Sequence, residues 1–144
     1  MIRFRPMEEF DIPYVCDIEQ QCFGKRSPED FEKCIKNPLY YYVVALKGQI
    51  VVGYFGIMIL NDECEILTIA VDSFYRRQHI GSDMMRFMFK FMNAKKIKTA
   101  YLEVNENNVA AIALYTKYGF EKSYTRKNYY GQDSALILKK EFEY

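Results

Sequence analysis

A basic turn between a strand-like run and a helix-like segment is the first stretch of this sequence with clear binding chemistry. Residues 66–71 form an apolar, β-branched run of strand length, and Arg76 and Arg77 stand in the turn that follows. Beyond Gly81, methionine and phenylalanine recur at helical spacing, with polar residues on the other face. Backbone N–H groups at a helix start, together with two guanidinium groups, can bind a diphosphate. The sequence therefore predicts a phosphorylated ligand between strand and helix.

The elements that would position this turn follow from apolar periodicity and capping residues. Strands are predicted at residues 2–5, 40–46, 49–60, 63–71, 99–104, 120–130 and 134–139. Helices are predicted between Asp11 and Gly24, from Ser27 to Asn37, after the basic turn, and over residues 109–118. Asp11, Ser27 and Asn108 are expected to act as N-caps, since their side-chain oxygens can accept hydrogen bonds from backbone N–H groups.

This order of elements, β-α-α-β-β-β-α-β-α-β-β, is typical of an α/β fold with a single mixed central sheet flanked by helices. The strands at 63–71 and 99–104 should be parallel, because a crossover helix separates them. The sequence has no linker, repeat or low-complexity segment. We therefore expect one domain over residues 1–144.

Composition excludes several classes of partner. The formal net charge is +1, which gives no general attraction to nucleic acid or to an anionic membrane. The longest apolar runs are too short to span a bilayer, and the first residues lack the apolar core of a signal peptide. The four cysteines form no C-x-x-C pair, so we expect reduced thiols in a cytoplasmic protein and no metal site.

Two groups of residues resemble the Gcn5-related N-acetyltransferase (GNAT) superfamily. The turn from Arg76 to Gly81 is similar to the family's acyl-CoA loop, [QR]-x-x-G-x-[GA], with His79 in place of the middle glycine. Residues 101–104, 113–115, 119–120 and 128–130 are similar to the RimI-type enzymes, which acetylate the α-amine of a protein. The resemblance covers essentially the whole chain and implies the GNAT acyl-CoA N-acyltransferase fold, acetyl-CoA as cosubstrate and no metal.

The reaction that the resemblance implies needs an uncharged amine and a proton for the departing thiolate. Glu103, at the end of a predicted central strand, could take the amine proton directly or through a water, although an exposed strand carboxylate is the commoner fate of glutamate. Tyr115 could donate to the thiolate or be an ordinary core residue, and its spacing does not decide between them. The resemblance places the general acid at Tyr115.

The resemblance also assigns residues to the two substrates. For acetyl-CoA these are Ile69, Ala70, Val71, Arg76, Arg77, Gln78, His79, Ile80, Gly81, Ser82, Asn108 and Tyr115. For the acceptor they are Phe23, Gly24, Lys25, Tyr129 and Tyr130. Glu65 could support a second base, hold the ammonium group or be a solvated strand residue. His79 should tolerate the left-handed backbone conformation, with its N–H on the diphosphate and its ring in solvent.

The resemblance implies a protein or peptide amino terminus as the acceptor, with an auxiliary subunit or the ribosome as candidate partners and the protein itself a monomer or weak dimer. Two alternatives stay open. One is a GNAT enzyme for a small amine, and the other is a CoA-binding subunit without turnover. Retention of both Glu103 and Tyr115 argues against the second.

Overall fold

The structure is a computed structural model that describes residues 1–24, 27–130 and 133–143, apart from the side chains of residues 126–130. Its strands are β1 (Ile2–Pro6), β2 (Tyr40–Lys47), β3 (Ile50–Leu60), β4 (Glu63–Val71), β5 (Thr99–Asn105), β6 (Glu121–Tyr130) and β7 (Asp133–Glu141). Its α-helices are α1 (Ile12–Phe23), α2 (Pro28–Lys36), α3 (Ile80–Ala94) and α4 (Val109–Lys117). Short 3-10 turns, Glu9–Asp11 and Ser73–Tyr75, precede α1 and follow β4.

The described strands form one mixed sheet with the order β1-β2-β3-β4-β5-β7-β6. Neighbouring strands are antiparallel except for β4 and β5, which are parallel. The predicted order of elements and the predicted parallel pair are therefore both confirmed. The final hairpin folds back so that β7, not β6, lies beside β5.

Two helices cover each face of the sheet, and a separate hydrophobic core lies between each pair of helices and the sheet. On one face, α1 and α2 pack against alternate residues of β2 and β3, including Tyr42, Val44 and Tyr54. On the other face, the four methionines of α3 and Tyr115 of α4 pack against the intervening residues, such as Val43 and Phe55. This alternation is the period-two pattern of a sheet that is covered on both sides.

The centre of the sheet opens where β4 and β5 separate. Their pairing runs from Glu63–Thr99 to Ile66–Leu102 and then ends. At the same level, β4 has a bulge against β3, because Gly56 is opposite Thr68 while Ile57 is opposite Ile66. Leu67 is the extra residue, and a bulge of this kind bends its strand and increases the local twist. The gap that results lies at the carboxyl ends of the two parallel strands, where α/β proteins commonly bind ligands.

One capping prediction was confirmed in its position and wrong in its contact. Asp11 occupies the N-cap position of α1, but its side chain accepts no hydrogen bond from an N–H of that helix. Its carboxylate instead accepts two hydrogen bonds from Arg5, at 2.6 and 2.8 Å, and one from the N–H of Glu8 at 2.8 Å. A bidentate guanidinium pair is stronger than a single neutral cap, so the carboxylate binds Arg5 of β1, six residues earlier, rather than an N–H of α1. The caps at Ser27 and Asn108 are confirmed.

Gly56 should be needed for the packing around the bulge. A Cβ atom at this position would lie 2.4 Å from the ring of Tyr42, which is buried and cannot move away easily. Gly56→Ala is therefore expected to destabilise the fold by about 1–3 kcal/mol, as overpacked core sites do. Thermal unfolding followed by circular dichroism measures this as a lower Tm. Gly81→Ala is the control, since its nearest neighbour would be 3.8 Å away; equal Tm values for the two variants would contradict the prediction.

Candidate active site

A cleft of about 980 Å³ runs through the gap between β4 and β5. That is within the range of small-molecule sites, roughly 300–1,000 Å³. Most of the residues singled out in the sequence line it: Phe23, Ile69, Ala70, Val71, Arg76, Arg77, Gly81, Glu103, Asn108 and Tyr115. A second groove, of about 950 Å³, lies between the first strand and α3 and contains none of them.

The basic end of the cleft is the turn between β4 and α3. Arg76 and Arg77 are exposed there, and Arg76 donates a hydrogen bond to the Cys22 sulfur at 3.2 Å. A second hydrogen bond joins the turn to α1, in which the N–H of Ser73 donates to Oε1 of Gln21 at 2.8 Å. His79 has a left-handed backbone, with φ of 63°, and stands immediately before α3. The positive φ predicted to be tolerable at this histidine is therefore observed, and its side chain is exposed as expected.

Four of the residues assigned to the acyl-CoA loop do not line the cleft. Gln78 accepts a hydrogen bond from the Lys47 ammonium at 3.0 Å, which directs its side chain towards β2. Ile80 is buried in the core beneath α3, so only its main chain could face a ligand. His79 is exposed and Ser82 is half-buried. These positions could bind a ligand through the backbone instead, because no intrahelical carbonyl accepts the N–H groups of the first turn of α3.

One edge of β4 is open along the cleft. Ile69, Ala70 and Val71 pair with β3 on one side, opposite Phe55, Tyr54 and Gly53. On the other side their pairing with β5 has already ended at Ile66, and among the described residues the ladder between β4 and β5 does not resume. A strand edge of this kind can take up an extended ligand that carries amide groups.

Glu103 and Tyr115 reach the cleft from opposite faces of the sheet. Along β5, Leu102 and Val104 are buried in the core of α3 and α4, so Glu103, which lies between them, faces the side of α1 and α2. Tyr115 projects from α4 and belongs to the core on the other face. The cleft therefore brings a carboxylate and a phenol to one gap in the sheet.

Tyr115 is held in an apolar environment. Its ring packs edge-on against Phe120, with the ring centroids 5.8 Å apart, and it is 7 % exposed. Burial disfavours the phenolate and raises the pKa of Tyr115 to about 12. The phenol is therefore protonated throughout the neutral and moderately alkaline range and can act as a hydrogen-bond donor.

Asn108 lies at the start of α4 and at the cleft wall. Its Oδ1 accepts a hydrogen bond from the N–H of Ala111 at 3.2 Å, which makes it the N-cap of that helix. The residue also lines the cleft, as the predicted double role requires.

The acceptor-side residues are only partly brought together. Phe23 ends α1, lines the cleft and is 61 % exposed, and Gly24 follows it with a φ of 98° that suits glycine. Glu65 is exposed on β4 and does not line the cleft. Tyr129 and Tyr130 belong to β6, but their side chains lie outside the described residues, as does Lys25.

The comparisons with known proteins agree with this geometry. Residues 8–120 match the acetyltransferase (GNAT) family. The chain belongs to the GNAT family. It is 36 % identical to the N-alpha-acetyltransferase RimI of Mycobacterium tuberculosis, over 87 % of this chain and 82 % of that one. It is 28 % identical to the [ribosomal protein bS18]-alanine N-acetyltransferase of Escherichia coli strain K12, over 92 % of each chain.

Solved structures place the fold in the same family. The crystal structure of the ribosomal-protein-S18-alanine N-acetyltransferase from Escherichia coli superposes with a TM-score of 0.92, at 26 % identity, covering 100 % of this chain and 96 % of that one. A GNAT acetyltransferase of Elizabethkingia anophelis, solved with acetyl-CoA bound, has the same fold, with a TM-score of 0.81 at 20 % identity and 98 % coverage of both chains. The predicted GNAT fold and N-acetyltransferase class are therefore confirmed. In the part of the chain that the structure describes, no helix has the length and apolarity to cross a membrane.

Of the residues that line this GNAT cleft but were not identified from the sequence as site residues, Glu19 and Thr68 carry buried polar side-chain atoms. Glu19 of α1 is buried and lines the cleft, and so does Thr68, the residue after the bulge. A signal for Glu19 was available, since it occupies the apolar stripe of α1, where a carboxylate is out of place. Thr68 carries no such signal, because threonine is common in strands.

Proposed function

We propose that this GNAT enzyme transfers an acetyl group from acetyl-CoA directly to the α-amino group of a protein, with a ribosomal protein such as bS18 as the natural acceptor class. Relatives at 36 % and 28 % identity, matched over most of their length, are named for N-alpha-acetylation and for acetylation of ribosomal protein bS18. A ribosomal protein would be met in the cytoplasm, where we place the activity.

The observation that carries the proposal is the cleft through the sheet, with Glu103 on one face and Tyr115 on the other. A two-sided cleft lets the amine and the thioester approach one point from opposite directions. Direct attack then needs no covalent enzyme intermediate. The reaction also needs a base on the amine side and an acid on the sulfur side, and Glu103 and Tyr115 could supply them.

The cleft fits acetyl-CoA at three points. Arg76, Arg77 and the N–H groups at the start of α3 would hold the diphosphate, since guanidinium groups and helix starts both favour anions. The open edge of β4 at Ile69–Val71 would pair with the amides of the pantetheine arm. Asn108 would contact the same arm from the start of α4.

The chemical roles follow from the positions of the side chains. Glu103 would take the proton from the acceptor amine, directly or through a water. A backbone N–H of the free β4 edge would bind the oxyanion that forms as the amine attacks the thioester carbonyl. Tyr115 would donate its phenolic proton to the departing thiolate. Acetyl-CoA supplies the activated acyl group, and none of these steps involves a metal.

The acid–base chemistry favours an α-amine over a lysine side chain. An α-amine, with a pKa of about 7.7–8.0, is roughly one-tenth neutral at pH 7, whereas a lysine amine is only about 0.04 % neutral. Deprotonation by a single carboxylate therefore costs much less free energy for an amino terminus than for a lysine side chain.

Competition between acceptors tests the proposal. We expect kcat/KM at pH 7 to be at least about 100-fold higher for a peptide with a free amino-terminal alanine than for the same peptide with a blocked amino terminus and an internal lysine, given the neutral fractions above. A polyamine serves as the small-amine comparison. Mass spectrometry of the product locates the acetyl group, and a preference for the lysine peptide or the polyamine would overturn the proposal.

A further inference from the structure

Glu19 is a buried carboxylate that the mechanism above does not use. It is 5 % exposed, although glutamate is rarely buried this far. Glu19 lines the cleft that holds Glu103 and Tyr115. Its position calls for an explanation in terms of that cleft.

Glu19 reaches the cleft from the same face of the sheet as Glu103. It projects from α1, whose neighbouring residues Val15 and Ile18 pack on the core of that face together with Ala70 of β4. Thr68, two residues before Ala70, shares the face and lines the cleft. The Thr68 hydroxyl is buried and has no hydrogen-bond partner among the described residues. A polar group of this kind in a ligand cleft is suited to a polar substrate atom.

Among the residues that the structure describes, the cleft contains two cationic and two acidic side chains. Arg76 and Arg77 lie at the turn before α3, where Arg76 contacts Cys22 of α1. The acids Glu19 and Glu103 lie on the face of α1 and α2. Two carboxylates in one cleft repel each other and gain from a cation placed nearby. The protonated α-amine of a peptide is such a cation, since at pH 7 roughly nine-tenths of it is charged.

We propose that Glu19 is a specificity-determining residue that binds the ammonium form of the acceptor in the cleft before Glu103 removes its proton. This inference rests on the proposed amine acetyltransferase function. Binding the cation first would concentrate the abundant protonated species at the site. Glu19 would thereby select amino groups over neutral nucleophiles, while Glu103 does the proton transfer.

The test is the pH dependence of Glu19→Gln, which keeps the size and most hydrogen bonds of the side chain but removes its charge. At pH 6.5, kcat/KM for the amino-terminal peptide should fall about tenfold, the loss of one charge-assisted contact. At pH 9.5 the amine is mostly neutral, so the variant should come within about twofold of the wild type. The other ionisable groups of the cleft, Glu103, Tyr115, Cys22, Arg76 and Arg77, are unchanged in both proteins.

Three further measurements separate this role from a structural one. The KM for acetyl-CoA and the Tm of Glu19→Gln should match the wild type, and Glu19→Asp, which retains the charge, should recover part of the activity at pH 6.5. Asp17→Asn is the matched control, because Asp17 is exposed on the same helix and does not line the cleft. A defect of equal size at both pH values, a lowered Tm or an equal rise in the KM for acetyl-CoA would each overturn the inference. A wild-type enzyme that acetylates no amino terminus would instead defeat the proposed function.

Discussion

Glu103→Gln is expected to lower kcat by about 10²–10⁴-fold, the usual contribution of a positioned general base. Glutamine keeps the size of the side chain but cannot accept the amine proton at neutral pH. Binding of acetyl-CoA should be unaffected, since the residues proposed to hold it lie at the turn before α3, on β4 and at the start of α4. Steady-state kinetics with an amino-terminal peptide, together with calorimetric titration of CoA, measure the two effects separately.

The matched control for this variant is Glu106→Gln. Glu106 follows the same strand, is exposed and does not line the cleft, so its replacement should leave kcat near the wild-type value. At high pH the neutral fraction of the amine increases, and the defect of Glu103→Gln should shrink accordingly. A wild-type kcat in Glu103→Gln at pH 7 would remove Glu103 from the mechanism.

Tyr115→Phe is expected to lower kcat by about 10²-fold, the lower end of the range for general acids, because a thiol of pKa near 8.5 is already a fair leaving group. The aromatic ring and its packing on Phe120 are retained, so the Tm should not fall. Tyr118→Phe is the control, since Tyr118 stands at the end of the same helix and does not line the cleft.

The pH profile provides a second reading of Tyr115. Its pKa is raised to about 12 by burial, so the phenol stays protonated to higher pH than an exposed tyrosine. The wild-type rate should therefore rise through the pKa of the acceptor amine and show no descending limb from Tyr115 below about pH 11. A descending limb near pH 10 that disappears in Tyr115→Phe would show that the phenol is more solvated than its burial indicates.

Most elements of this fold can be predicted from sequence features that act over a few residues. The Ser27 cap, the glycine after α1 and the strand-length apolar runs each act over a few residues, and the element order built from them is correct. The parallel relation of β4 and β5 follows from one crossover helix. A capping signal fails where a residue of another element competes, as at Asp11, whose carboxylate binds Arg5 of β1 in place of an N–H of α1.

Sequence reasoning found some residues of the candidate site but missed the strand bulge and the buried glutamate. The arginines are recognisable from their position in a basic turn before a helix, whereas Tyr115 was assigned through the resemblance to the GNAT family; both arginines, Glu103 and Tyr115 line one cleft. The bulge at Leu67 leaves no mark in the sequence, because a leucine there fits a regular strand equally well. Helical periodicity places Glu19 on the buried face of α1, but that it lines this cleft depends on how α1 crosses the sheet.

The separation of β4 and β5 also bears on how the protein avoids aggregation through unpaired strand edges. Unpaired backbone groups at the rim of a sheet invite pairing with other chains, and proteins normally protect such rims. Here the vacant hydrogen-bonding positions lie in the interior of the sheet, walled by α1 on one side and α4 on the other. A thin, flexible molecule can enter and complete the ladder, whereas a whole strand of a neighbouring protein finds no exposed rim to pair with at this place. The fold can thus keep unpaired backbone groups available to its cosubstrate without presenting them at an outer edge of the sheet.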